Sequence, residues 1–255
     1  MPHIALGTMR MSGHFDGLMV LNRDAVGASR LLDAARHLGV DLFDTAPVYA
    51  RGQAEWDLGR SGGPAASRVW TKVGVDIGGV LPRLDYSVPG MLATLQGSCR
   101  RLRRTSVECV FVHNPTAEVL RSLDWRQLYE LMVVNGPADA LGASVLTGEE
   151  VELLLDVPVP VPMPVMVEAA LLDRRRGLAV RLANAGHRLI VRSLFSGGAA
   201  FDGLPPERRI RLIGEAFHAT VSRYDPWAVV IAPRTPQQMA EYSAVLRYAT
   251  GKATQ

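Results

Sequence analysis

Eight short runs of apolar, strand-forming residues recur along the 255-residue chain, each followed by a more polar or amphipathic stretch. The strand candidates are 3–8, 40–44, 69–73, 107–113, 138–143, 165–168, 188–193 and 227–232. Helical periodicity occupies 25–37, 89–102, 126–134, 149–155, 207–224 and 236–249. Strictly alternating strands and helices imply parallel pairing through crossover helices, so the expected architecture is α/β, a single (β/α)₈ TIM barrel spanning 1–255. The runner-up, an open doubly wound sheet, is weakened because no G-x-G-x-x-G follows the first strand. Alternating prolines in 157–164 hold that segment extended, which suits delivery of the chain into the sixth strand.

Composition narrows the class further. With 48% hydrophobic residues the chain can bury a large core, which excludes disordered and fibrous proteins. No apolar run approaches the roughly 20 residues needed to span a bilayer, and the N-terminus lacks a basic region followed by an apolar stretch. The only cysteines, Cys99 and Cys109, sit in apolar patterns and suggest neither a disulfide framework nor a metal site. A reduced, cytoplasmic setting is the expectation, with no metal, no nucleic acid and no membrane partner. The net charge of +3 comes without a long basic tract. Arg100, Arg101, Arg103 and Arg104 read as the solvated end of a helix.

Of 28 basic residues only Lys72 and Lys252 are lysines. Lys72 lies inside the apolar pattern VWTKVGV, where a charge is costly unless it has a partner. Catalytic groups of a (β/α)₈ barrel gather at the C-terminal ends of its strands. Asp44 ends the second strand, Tyr49 follows five residues later, Lys72 is near the end of the third and His113 ends the fourth. Alone, Tyr49 is an ordinary loop tyrosine, His113 a satisfied core histidine and Asp44 a strand-end cap. Together they form a proton-donating site. A phenol with pKa near 10 is a poor acid, a nearby ammonium stabilises its phenolate, Asp44 would pair with that ammonium, and His113 would donate to a carbonyl oxygen.

The segment GVDLFDTAPVYARGQAEWDLGR, with VWTKVG and CVFVHNP, resembles the aldo-keto reductase family. F-D-T-A-x-x-Y followed by Glu55, Leu58 and Gly59 is similar to its aldose dehydrogenase and pyridoxal reductase branch. Weaker matches are LGTM, LGAS, VEAALLDRR, RSLFSGG and IAPRTPQQMAEY, so the resemblance covers nearly the whole chain. It implies reversible hydride transfer between NADP(H), or NADH, and a small carbonyl compound, with catalytic Asp44, Tyr49, Lys72 and His113. It also implies cofactor contacts from Gly7, Thr8, Asp44, Ser144, Met166, Arg192, Ser193, Leu194, Arg234, Thr235 and Gln238. Gly197 and Gly198 would let the backbone approach the pyrophosphate closely. Met9, Met11, Trp56 and Asn114 are the expected substrate contacts, with His14, Phe15 and Phe195 near them. That apolar set suits a fairly apolar carbonyl compound. A monomer is the family's common habit.

The chain departs from the family where the nicotinamide amide is held. Ser144 is followed by Val145 instead of asparagine, Met166 replaces a glutamine, and Ala169-Ala170 replaces Tyr-Asn. Valine and methionine cannot hydrogen-bond a carboxamide. Gln238 stands where an arginine often meets the 2′-phosphate and Tyr242 where an asparagine often meets adenine, leaving Arg234 and the N-terminus of the last helix for phosphate. These departures keep two alternatives open: acid–base chemistry without a nicotinamide cofactor (dehydration, enolisation or cyclisation), and a non-catalytic binding subunit, against which the complete tetrad argues.

Overall fold

The computed structural model describes residues 1–11, 14–15, 20–22, 24–61, 67–175, 177–195 and 201–250. Eight parallel strands close into the expected barrel: β1 (His3–Gly7), β4 (Leu42–Asp44), β5 (Arg68–Val73), β8 (Cys109–His113), β9 (Leu141–Ser144), β10 (Pro164–Glu168), β11 (Arg188–Arg192) and β12 (Ala228–Ile231). Neighbours in sequence are neighbours in space, and β12 returns to pair with β1. Two hairpins that alternation did not predict decorate the frame: β2 (His14–Phe15) with β3 (Val20–Asn22), and β6 (Val75–Asp76) with β7 (Arg83–Leu84).

Side chains alternate across each strand, and in this barrel the inward face changes character along its length. Leu42, Trp70, Phe111, Met166 and Ile190 all point into the barrel and are fully buried. Trp70 stacks on Trp227 at 5.5 Å between ring centroids and meets Phe111 edge-on at 5.8 Å. Two residues further along the same five strands stand Asp44, Lys72, His113, Glu168 and Arg192. An apolar plug thus fills the barrel, and the next inward layer, at the C-terminal mouth, is polar.

The outward strand faces pack against α1 (Ala25–His37), α2 (Gln53–Arg60), α3 (Val88–Leu102), α4 (Ala117–Ser122), α5 (Trp125–Tyr129), α6 (Gly148–Asp156), α7 (Ala169–Arg174), α8 (Leu178–Asn184), α9 (Pro206–Tyr224), α10 (Pro236–Glu241) and α11 (Ser243–Thr250). Helix α1 has the bounds its periodicity predicts. Helix α6 starts on a reciprocal cap, in which Thr147 and Glu150 satisfy each other's backbone N–H groups. The extended stretch 157–164 runs from the end of α6 into β10, as its prolines require.

Two helical expectations need correction. The 126–134 helix is α5 followed by a π-helical turn, Glu130–Val134, which carries the chain to the 135–140 approach to β9. The 236–249 helix is α10 and α11, divided at Tyr242, whose side chain is buried. No helix among the described residues is long and apolar enough to cross a membrane, and Cys99 and Cys109 are both free and buried.

Candidate active site

Asp44 and Lys72 are placed by strand ends, whereas Tyr49 is placed by a strained turn. After β4 the chain makes a short 3₁₀ turn, Tyr49–Gly52, in which Ala50, Arg51 and Gly52 all have positive φ (48°, 52° and 81°). A left-handed alanine or arginine costs about 1–2 kcal/mol, so tertiary contacts must hold the turn. Arg51 donates to the carbonyl oxygens of Gly79 and Val80 at 2.7 Å each, and a Cβ on Gly52 would meet Arg101 Cδ at 2.8 Å. The turn brings the Tyr49 ring to 4.8 Å from Lys72 Nζ and edge-on to His113 at 6.1 Å.

Lys72 is fully buried, as its strand pattern implies, and Asp44 is its partner, with the Thr45 carbonyl as a second acceptor. Its Nζ donates to Asp44 Oδ1 at 2.6 Å and to the Thr45 carbonyl at 2.8 Å. Burial works against the charged ammonium, but Asp44 and Tyr49 more than compensate, so Lys72 titrates above its ordinary value. Tyr49 corrects an expectation. Its burial outweighs the pull of Lys72, and Asp44 opposes that pull, so the phenol is raised above 10 and not lowered. Burial, with the positive charges of Lys72 and Arg192, holds His113 down at about 3. At neutral pH the site therefore holds a protonated phenol, a neutral imidazole and a charged ammonium that is hydrogen-bonded to Asp44.

Residues outside the tetrad fix this geometry. Glu55, wholly buried, accepts from Thr71 Oγ1 and from Arg101 Nε, both at 2.6 Å, and so ties α2 and α3 to the strand that carries Lys72. Arg101 is thus a structural partner of the interior, not part of a solvated helix end. Tyr86 donates to the carbonyls of His113 (2.7 Å) and Asn114 (3.0 Å), where the backbone turns left-handed at Asn114. Its ring packs over Gly74, at which any Cβ would lie 2.4 Å from it.

A cavity of about 820 Å³ opens from Asp44 and Tyr49 and runs past the ends of β11 and β12. Of the residues named from the sequence, Gly7, Met9, Arg192, Ser193, Leu194, Phe195, Arg234, Thr235 and Gln238 line it, together with Arg10, Asp202, Arg209, Glu241 and Tyr242. The wall is more polar than the expected apolar set. Thr8, Met11, Ser144 and Met166 are buried and do not line it, Met166 lying within the plug. Trp56 is not in the wall and packs under the Arg60 guanidinium, and Asn114 stands at the end of β8 outside it. His14 and Phe15 belong to β2, but their side chains, like Gly197 and Gly198, lie outside the described residues. Glu168 was missed by motif reading; it lies two residues after Met166 on the same strand face, so strand period alone points it at the mouth.

A sequence model of the aldo/keto reductase family matches residues 3–210. The chain belongs to the aldo/keto reductase family. This is a family of oxidoreductase enzymes that act on small carbonyl compounds and generally use NAD(P)H. Solved structures with the same fold include an aldo-keto reductase from Bacillus halodurans in its holo form (TM-score 0.74, 19% identity, 99% of this chain and 87% of that one). A glycerol dehydrogenase from Gluconobacter oxydans gives a TM-score of 0.73 at 18% identity, covering 97% of this chain and 90% of that one. At such identities the likeness establishes the barrel alone. A rice (Oryza sativa subsp. japonica) protein named "Probable voltage-gated potassium channel subunit beta" is 35% identical over 111 residues, 40% of this chain and 34% of that one. The match thus spans about a third of that curated relative's length.

Proposed function

We propose that this aldo/keto reductase is an NADP(H)-dependent carbonyl reductase with Tyr49 as its general acid, acting as one barrel domain and a monomer. The observation that carries the reading is that Asp44 and Tyr49 stand at the head of a cavity large enough for a dinucleotide, with Lys72 against both of them and His113 edge-on to Tyr49 behind the wall. The residues present fit such a cofactor in size and in the donors they offer its phosphates: Arg10, Arg209 and Arg234 line the cavity. Gly7, Ser193, Leu194, Arg234, Thr235 and Gln238 would hold it from the wall, while Thr8, Ser144 and Met166 are buried outside that wall. When bound, the cofactor supplies or accepts a hydride at the substrate carbon. Two free buried cysteines agree with a reduced compartment such as the cytoplasm.

The chain's own residues manage the proton. Neutral His113 donates to the carbonyl oxygen and holds it beside the Tyr49 hydroxyl. As negative charge grows on that oxygen, the Tyr49 proton moves to it. Burial keeps the phenol protonated beforehand, so the attraction of Lys72 is felt chiefly once a phenolate develops. A stabilisation that exists mainly in the transition state lowers the barrier without stabilising the resting enzyme. Asp44 keeps Lys72 charged and in place. Met9 and Phe195 offer apolar wall to a small, fairly apolar aldehyde or ketone.

Titration with NADPH and NADH, followed by nicotinamide fluorescence, tests the reading. Saturable binding is expected; no binding of either at millimolar concentration would sink it.

A further inference from the structure

We infer that the Glu168–Arg192 ion pair is the anchor for the nicotinamide carboxamide, in place of the contacts the chain lacks at Val145 and Met166. The inference rests on the NAD(P)H reading above and concerns how that cofactor is held. Met166 and Ile190 are fully buried in the barrel plug. Glu168 and Arg192 stand two residues beyond them, in register on adjacent strands, and so rise together at the mouth. Arg192 lines the cavity. Its Nη1 donates to Glu168 Oε1 at 2.7 Å, and its Nη2 reaches the Val145 carbonyl at 3.3 Å. The guanidinium thus spans the ends of β9, β10 and β11 and covers the rim where Val145 offers no polar side chain.

The chemistry of the pair matches an amide. A carboxamide presents one carbonyl acceptor and one NH₂ donor, and valine and methionine answer neither. A guanidinium donates to the carbonyl oxygen, and the adjoining carboxylate accepts from the NH₂. Both groups have capacity left. Arg192 is the one partner of Glu168 among the described residues, although a carboxylate has about four acceptor sites, and its side chain is 35% exposed. Arg192's other contacts are long, at 3.3 and 3.4 Å, and its buried Nε has no partner. The two charges are already paired, so the site as a whole is dipolar. A dipolar site favours a neutral amide over a second anion, which distinguishes this role from capture of a substrate carboxylate or of the pyrophosphate.

The test compares wild type, Glu168→Leu, Arg192→Leu and Glu168→Gln in binding titrations with NADPH, with 2′-phospho-ADP-ribose, which has no nicotinamide, and with the 3-acetylpyridine analogue, which keeps the carbonyl but lacks the NH₂. Each leucine variant is expected to weaken NADPH about tenfold while binding 2′-phospho-ADP-ribose like wild type. Wild type should prefer NADPH to the acetylpyridine analogue, Glu168→Leu should lose that preference, Arg192→Leu should keep it, and Glu168→Gln, which can still accept, should restore most of the affinity. Unchanged NADPH affinity in both leucine variants, or an equal loss for 2′-phospho-ADP-ribose, overturns the anchor and leaves the reductase reading standing. Failure of wild type to bind any dinucleotide overturns both.

Discussion

The barrel mouth has two halves built on different terms. Strands β4, β5 and β8 carry Asp44, Lys72 and His113, with Tyr49 on the turn after β4, the four residues on which the sequence resemblance rests. Strands β9 to β12 lead to Ser144, Glu168, Arg192 and the segment from Arg234 to Tyr242, the half in which the sequence resemblance is weakest, at Val145, Met166 and Gln238. The acid half is closed and over-determined: Lys72 has two short bonds, and Glu55 and Tyr86 brace the strands from behind. The other half is an open cavity wall that includes Arg192, Arg209 and Glu241; Arg209 pairs with Glu241 within it and Arg192 pairs with Glu168 at its edge, and both pairs stay partly exposed. Proton transfer demands specific groups within a fraction of an ångström. Holding a dinucleotide demands only enough donors and acceptors around it, so different side chains can meet the need.

That contrast can be broken from either side. Tyr49→Phe should lower turnover by about 10²–10⁴-fold, the usual worth of a positioned acid, while NADPH binding stays intact; unchanged turnover in steady-state assays removes Tyr49 from the role. Lys72→Met leaves Asp44 buried without its cation, and a broken buried pair costs about 3–5 kcal/mol. Thermal or urea unfolding should register that loss, and Asp44→Asn added to Lys72→Met should recover part of it.

The acid half should also titrate. His113 is held at about 3 in the folded protein against 6.5 for an ordinary histidine. Between those values the unfolded chain takes up a proton that the folded one refuses. Stability on this account is full above pH 6.5 and falls as the pH drops, by up to about 1.4 kcal/mol per unit. The dependence of Tm on pH should flatten over that window in His113→Gln; an identical profile would show that other groups set it.

Smaller effects are expected from the supporting residues. Tyr86→Phe removes the donor to the His113 and Asn114 carbonyls, at about 0.5–1.5 kcal/mol, and should raise KM for the carbonyl substrate more than it lowers NADPH affinity. In the open half, Gln238→Arg should shift preference toward NADPH over NADH by about tenfold or less; no shift in the ratio of dissociation constants would place the 2′-phosphate away from this position.

The order of strands and helices follows from residue period alone, because the inward faces of a closed parallel barrel and the buried stripes of its helices repeat at fixed intervals. The tetrad was legible for a related reason. Asp44, Lys72 and His113 each interrupt an apolar strand near its C-terminal end, and in such a place the opposite charges of Asp44 and Lys72 require each other. Three other features depend on where the barrel, once closed, brings distant residues. The phenol of Tyr49 is raised because burial is a property of the assembled mouth, whereas its lysine neighbour could be read from the chain. Arg101 looks like one of a solvated cluster until α3 packs on α2 and offers it the buried Glu55. Glu168 and Arg192 are 24 residues apart in a sequence that gives no hint of their pairing, and only the register of β10 on β11 sets the carboxylate beside the guanidinium. Local pattern carries what a residue must avoid, chiefly an unpaired charge in an apolar run. Which partner relieves it is a matter of strand register and helix packing, and those are settled only when the whole sheet closes.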